Sequence, residues 1–285
     1  MRKDFLLSEK EKQRRKNLIE QKRNSSTIDR FYFDFFEDQF SIEDWILIEN
    51  LQSTFVSVFQ TDFTKTHVEN VNNHISALIY WSHIVESVVM NFIEYFRRIE
   101  HFERLNNDDR FILIKYNVSC LYPILKAYYF HPIFNSFDSQ NDEETKKAIE
   151  FYNLCFDPNT IDLSSTYAQL VLLFVETTKQ DPILIGLIFI ILLFSQRILT
   201  NENEQSFNDP STIFQIQCYY TEILWKYLVN KQGELESIRT WNNLLRGIFQ
   251  TKSLAKIAVD YFNEQMSANS ADQLAPLFQT ILHIS

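Results

Sequence analysis

The apolar positions of this chain recur at helical spacing almost throughout. The clearest stretch runs from Phe92 to Val118, where two periodic segments are separated by a polar link carrying Asn106, Asn107, Asp108 and Asp109. Phe92, Tyr95, Phe96, Ile99 and Phe102 fall on one side of a helix; Phe111, Ile114 and Val118 do the same beyond the link, with Lys115 at the rim. Upstream, Ser41-x-x-Asp44 opens an amphipathic helix to about Phe59, with Trp45, Ile48, Leu51, Phe55 and Phe59 on one face. A long helix is predicted over about 68–98, with Trp81, Ile84, Val85, Val88, Val89, Phe92 and Phe96 as its inner stripe. Further helices are predicted over about 108–129, 142–155, 162–179, 182–198, 210–230, 234–266 and 273–283, and residues 130–140 are compatible with a small hairpin. Residues 1–24 predict a solvated helix from about Ser8, where Glu11 completes a capping box, and the aromatic-rich residues 25–40 a linker packed on the domain. No internal repeat is visible, which counts against a solenoid.

The run Ile183–Phe194, ILIGLIFIILLF, is apolar on every side. Its 12 residues fall short of the roughly 20 that span a bilayer. It follows Asp181-Pro182, a helix-start signal, so it reads as a buried central helix and not as a membrane span.

Composition narrows the function classes. There are only three glycines, Gly186, Gly233 and Gly247. A dinucleotide fold, a phosphate-binding loop and a nucleophile elbow all need glycine-rich turns, and hairpin-rich folds consume glycine as well. The fold class is therefore all-α. The net charge of −10 argues against the body of the chain as a nucleic-acid binder. Residues 1–23 hold nine Lys or Arg against four acids, so that segment is about +5 and the remainder about −15. Three widely spaced cysteines, Cys120, Cys155 and Cys218, form no C-x-x-C pair and read as reduced, buried thiols. The six histidines include no H-E-x-x-H, and His67 and His74 lack a visible third ligand. Glu143 and Glu144 read as an exposed helix start. These features imply no enzyme.

The segment FIEYFRRIEHFERLNNDDRFILIKYNV resembles the signature of nuclear-receptor ligand-binding domains. There the third helix ends roughly in E-[FY]-A-K-x-I-P-G-F-x-x-L, and D-Q-x-x-L-L-K opens the next helices. Glu94, Tyr95, Ile99, Phe102, Leu105, Asp109, Leu113 and Lys115 match that pattern. Arg97 replaces its lysine, Glu100 and His101 its Pro-Gly, Arg110 its glutamine and Ile114 its second leucine. ILLFSQR (191–197) resembles the family's helix ending in F-S-P-D-R, shortened by one residue. The segment 238–264, with Lys252, Ser253 and Leu254 near a common R-S-L, resembles the helix of the dimer face. PLFQTIL (276–282) resembles the final activation helix. MRKDFLLSEKEKQRRK at the start is similar to the extension that follows the second zinc finger in the vitamin D receptor and pregnane X receptor branch.

The resemblance implies a three-layer helical sandwich of about ten helices with one small β-hairpin, divided into a basic hinge or linker extension over 1–40 and a ligand-binding domain over 41–285. It implies a ligand-regulated transcription regulator, expected in the nucleus with the cytoplasm as a second location. A lipophilic small molecule would be lined by Trp81, Ile84, Val85, Val88, Leu125, Tyr129 and Ala258. Coactivator or corepressor helices would dock in a groove marked by Arg97, Lys115, Leu277 and Thr280, where Thr280 stands in place of the family's glutamate. Leu244, Leu245, Ile248 and Leu254 would serve a homodimer or a retinoid X receptor-like heterodimer. The family's acidic partner for the arginine matched by Arg197 falls at Cys120, so that pair is not expected here. No cofactor is expected in this chain; zinc and DNA contact would belong to a zinc-finger domain missing ahead of residue 1, so the chain is expected to be a fragment of a receptor or a receptor without its DNA-binding half. The competing reading is a ligand-independent, all-helical protein-interaction scaffold.

Overall fold

A computed structural model describes residues 40–60, 71–130, 150–151, 153–155, 163–195, 206–266 and 272–282. The expected basic helix from Ser8, the body of the linker, the hairpin beyond residue 130, most of the helix over 142–155, and Arg197 lie outside the described residues. The protein is mostly helical, with no strand among the described residues. In chain order the helices are α1 (Ile42–Val58), α2 (His74–Arg97), the short α3 (Glu100–Glu103), α4 (Asn107–Asn117), a 3₁₀ turn (Val118–Leu121), α5 (Tyr122–Tyr128), α6 (Leu163–Thr178), α7 (Pro182–Leu193), α8 (Pro210–Gln232), α9 (Glu234–Gln265) and α10 (Pro276–Leu282).

Helix starts follow the side chains that can occupy free backbone N–H groups. Ser41 accepts from the Asp44 N–H and Asp44 accepts from the Ser41 N–H, both at 3.1 Å, the reciprocal cap that the spacing predicts. For α2 the equivalent pair is Asn73 and Ser76, so the helix begins at His74 rather than at 68. The single helix predicted over 108–129 is divided. Pro123 has no N–H to give to the residue 119 carbonyl and its ring crowds that turn, so the chain tightens into the 3₁₀ turn before α5 resumes. The helix predicted to reach 198 stops at Leu193. There the buried Asn117 amide donates to the carbonyls of Leu193 and Ser195 at 2.8 and 3.1 Å, supplying partners that the helix end lacks.

The aliphatic α7 is the centre of the molecule, with α1, α4, α5 and α8 packed on it. Every residue from Leu184 to Ile190 is buried, and at about 2 kcal/mol for each large side chain this is the main apolar payload of the fold. Asp181 caps its start, accepting the Ile183 N–H at 2.9 Å. The second carboxylate oxygen takes the Tyr227 hydroxyl at 2.7 Å and the Lys231 ammonium. Burial and then the Asp181 charge hold the Tyr227 phenol well above its ordinary range. The preceding Lys179 and Gln180 both have left-handed backbone (φ 50° and 55°), and this turn aims the Gln180 amide at the carbonyls of Ala127 and Tyr128 at the end of α5 (3.3 and 2.9 Å).

Glycine scarcity acquires a reason at each site. A Cβ on Gly186 would meet the Tyr95 hydroxyl at 2.8 Å, and one on Gly247 would meet the Phe174 ring at 2.8 Å. These two let α7 approach α2, and α9 approach α6. Gly233 sits between α8 and α9 at φ 83°, a conformation that other residues adopt only under strain. By length and composition α2 would reach across a membrane, yet Ala77, Leu78, Val88, Val89, Phe92, Tyr95 and Phe96 on it are core residues.

Candidate functional site

The stripe Glu86, Met90, Ile93 and Arg97 runs along one side of α2 at steps of four, three and four residues, so these side chains share a face. At its Glu86 end sits α10. The Glu86 carboxylate accepts the Leu277 N–H at 3.1 Å, and the Ser82 hydroxyl accepts the Ala275 N–H at 3.0 Å. Both are free donors at the start of a short helix, where an anion is favoured. Phe278 wedges the helix down from its other side, with its ring 5.0 Å from Phe262 of α9 and 5.6 Å from Trp81 of α2. Trp81 and Phe262 are themselves stacked at 5.3 Å.

At the opposite end of the stripe Arg97 is tied to α4 through a shared carboxylate. Its Nε lies 3.4 Å from one Glu103 oxygen, while Arg110 reaches the other at 3.0 Å. The wall formed by α4 carries Phe111 and, one turn on, Lys115, whose Nζ lies over the Phe111 ring at 6.0 Å and the Tyr116 ring at 5.3 Å. α10 touches α2, α4 and the 3₁₀ turn that follows α4, and the surface between the three helices is the candidate trough. Two large apolar side chains stand open on its walls, Met90 with 55% and Phe111 with 50% exposure.

The α4 wall is fixed by Asp109. This fully buried carboxylate accepts the backbone N–H groups of Asn208 and Asp209 at 2.7 and 3.2 Å and the Asn106 amide at 2.8 Å. It thereby pins the start of α4 to the segment entering α8. Behind Arg97, His101 shares a hydrogen bond with the Tyr220 hydroxyl at 3.0 Å. Burial lowers the His101 pKa; Glu100 opposes this and Arg104 adds to it, each by less.

The four expected groove residues lie on three helices, Arg97 on α2, Lys115 on α4, and Leu277 and Thr280 on α10. Arg97 is the most open of them, with 69% side-chain exposure, and Leu277 is half-buried. Thr280 turns its hydroxyl back on the Pro276 carbonyl at 3.0 Å, so α10 offers no charged group to the trough. Phe111, expected on an inward face with Ile114 and Val118, points outward, while those two are buried. Its step from Ile114 and Val118 fits a helix face, but the fold turns that face edge-on and leaves Phe111 outside.

The expected ligand residues divide. Trp81, Ile84, Val85 and Ala258 are half-buried, and Trp81 joins Phe262, Phe278 and Tyr122, the last at 6.4 Å. Val88 and Leu125 are fully buried core residues. Tyr129 belongs elsewhere: its hydroxyl donates to the Phe59 carbonyl at 3.2 Å, at the end of α1. The expected dimer residues also divide. Leu244 and Leu254 point into the core, as the shared inner face with Gly247 requires, whereas Leu245 and the 63%-exposed Phe249 look outward.

Two thiols are inert by burial, with Cys120 pushed up to about 11 and Cys155 to about 12. Cys218, expected to be buried, is exposed on α8. His74 is used structurally, its ring nitrogens lying 2.6 Å from the Leu154 carbonyl and 3.2 Å from the Gln265 amide oxygen. Sequence reasoning missed Ser82, Glu86, Met90, Phe262 and Phe278. The spacing of Glu86, Met90, Ile93 and Arg97 was a readable signal for the stripe; the contacts of Ser82 and Glu86 cross more than 190 residues of chain and carried none.

No family model matches this sequence, and no curated protein matches it.

Proposed function

We propose that this chain is a nuclear-receptor-type, ligand-regulated transcription regulator that is not an enzyme and acts by receiving a helix of a coregulator in the trough between α2, α4 and α10. The observation that carries the reading is the pair of exposed apolar side chains, Met90 and Phe111, beside the cationic Arg97 and next to a short terminal helix. An open apolar strip flanked by charge is the surface that an amphipathic helix covers. Arg97 suits the free carbonyls at a helix C-terminus, since its guanidinium donates to two acceptors.

The finer architecture under this reading is a three-layer helical sandwich with one small hairpin, comprising a hinge over 1–40 and a ligand-binding domain over 41–285. A lipophilic molecule would lie against Trp81, Ile84, Val85 and Ala258, next to the Phe262 and Phe278 rings that hold α10. Contact there would bias the seating of the last helix. The outward part of α9, at Leu245 and Phe249, with the half-buried Ile248 beside it, would serve a homodimer or a retinoid X receptor-like heterodimer, in the nucleus.

A ligand-independent interaction scaffold is the second reading. It is favoured by the close packing of Trp81, Phe262 and Phe278 and by the burial of Val88 and Leu125, which leave these side chains serving as core. Both readings use the same trough. Fluorescence anisotropy with a labelled peptide of L-x-x-L-L spacing tests it: saturable binding to the full chain that is lost in Phe111→Asp is expected, and equal binding by parent and variant contradicts it. Native mass spectrometry separates the two readings. A retained adduct of a few hundred daltons would support the receptor; a bare mass would favour the scaffold.

A further inference from the structure

The long helix α9 carries two seams of heptad spacing, and their contents are inverted. The inner seam, Ser237, Thr240, Leu244, Gly247, Thr251 and Leu254, is buried, yet only two of its six members are large apolar residues. The outer seam, Leu235, Ile238, Asn242, Leu245 and Phe249, is exposed at every position. Both advance by three and four residues in turn, offset by two residues, which is about 200° around the helix. Small inner residues let α6 come close, as the approach of the Phe174 ring to Gly247 requires. The larger apolar side chains are left outside, with Leu235 at 73% exposure.

These four apolar side chains stand in line over about 21 Å and contribute nothing to folding while they are wet. Their spacing is that of the a and d positions of a coiled coil, a face that a second helix covers. The polar member identifies that helix. Asn242 lies at the middle, with Leu235 and Ile238 on one side and Leu245 and Phe249 on the other. A carboxamide both donates and accepts, so two copies of Asn242 placed face to face satisfy each other. An apolar partner would leave the amide buried with its hydrogen bonds unmade. A two-fold contact sets a patch against itself, and this patch is self-matching about its centre. Apolar ends meet apolar ends and amide meets amide, for parallel and antiparallel helices alike. The next positions of the series are Lys252 and Lys256. The apolar seam therefore closes at Phe249, where the Lys252 ammonium lies over the ring at 5.6 Å.

We infer that a second copy of this chain pairs with the first through the outer seam of α9, with Asn242 against Asn242 at the centre. The inference rests on the proposed reading of α9 as a dimer face, chooses a like partner for it, and does not use the trough. It replaces Leu244 and Leu254, which lie on the inner seam, by Leu235, Ile238 and Asn242 on the outer one.

Sedimentation equilibrium of the full chain over a range of concentrations tests this, and a monomer–dimer equilibrium is expected. Phe249→Asp is expected to raise the dissociation constant at least about tenfold. Asn242→Leu is expected to lower it, because a polar residue in such a seam fixes register and weakens pairing. Both positions are exposed, so melts of the variants at low concentration are expected to match the parent. Register is read by diamide oxidation of Asn242→Cys in a Cys218→Ser background, which removes the exposed native thiol. A disulfide-linked dimer is expected there in either helix direction, and far less from Asn243→Cys, which lies about 100° around the helix. A monomer at every concentration, a dimer unchanged by Phe249→Asp, or a dimer that Asn242→Cys does not cross-link would overturn the inference. A chain that is monomeric alone and dimerises through Phe249 only with an added retinoid X receptor ligand-binding domain would overturn it and leave the dimer reading of α9 standing. Peptide binding on the same samples separates the two faces. A monomer that still binds the L-x-x-L-L peptide through Phe111 overturns this inference and leaves the trough reading intact, whereas a chain that neither dimerises nor binds the peptide overturns both.

Discussion

Two faces of α2 have opposite fates. On the inner face Val88, Phe92, Tyr95 and Phe96 are sealed against α1 and α7, and the rings of Phe59, Phe92 and Phe189 meet at 5.1–5.9 Å. On the other face Met90 is open, Ile93 is half-covered, and Arg97 reaches across to Glu103. Burial on the first face stabilises the fold. Apolar area on the second contributes nothing to folding while it stays wet, so it is available for binding. The two faces are separable because one rigid helix presents both.

That separation can be broken most severely at Asp109, which supports the α4 wall. Asp109→Ala leaves the N–H groups of Asn208 and Asp209 without their acceptor and is expected to cost about 3 kcal/mol. Urea denaturation would read this as a lower midpoint at unchanged slope.

The inner face is tested at Gly186. Gly186→Ala drives a methyl into the Tyr95 hydroxyl and is expected to cost about 1–3 kcal/mol. That hydroxyl is buried with no hydrogen-bond partner among the described residues, and desolvation keeps its phenol far above the ordinary range. Tyr95→Phe should therefore be neutral or stabilising by up to about 1 kcal/mol, and combined with Gly186→Ala it should recover most of the loss. Additive costs in the double variant would show that the clash is not the cause.

The outer face predicts the contrary behaviour. Phe111→Asp should change stability by no more than about 0.5 kcal/mol while removing peptide binding. A large stability loss would mean that Phe111 is a core residue after all.

The smallest effect is expected at His101. Burial lowers its folded pKa below the ordinary 6.5, so the unfolded chain takes up a proton first as pH falls. Its contribution is present above 6.5 and is lost below it, progressively toward the folded pKa. His101→Gln should flatten the acid side of the stability profile and leave the neutral side unchanged.

Much of the helical frame was legible as pattern. The Ser41 and Asp44 cap, the Asp181-Pro182 start and the aliphatic run of α7 all rest on neighbours within a few residues, where sequence and structure share one cause. The helix ends were less legible. Asn117 closes α7 from 76 residues away, and Gln180 closes α5 from about 50, so neither stop is written locally. The trough shows the same division. Arg97 and Lys115 follow from local spacing, but the outward turn of Phe111 and the hold of Glu86 on α10 depend on how distant helices dock. On α9 the periodic leucines were visible, yet Gly247 and Phe174 decide which side faces the core, and that placed Leu244 and Leu254 inside.

Hydrogen–deuterium exchange on the full chain, with and without a helical peptide of L-x-x-L-L spacing, tests the central claim most directly. Slower exchange confined to residues 90–97, 110–115 and 276–282, with 184–190 unchanged, is the predicted result. Protection elsewhere, or none at saturating peptide, would contradict the account of this trough as the binding surface.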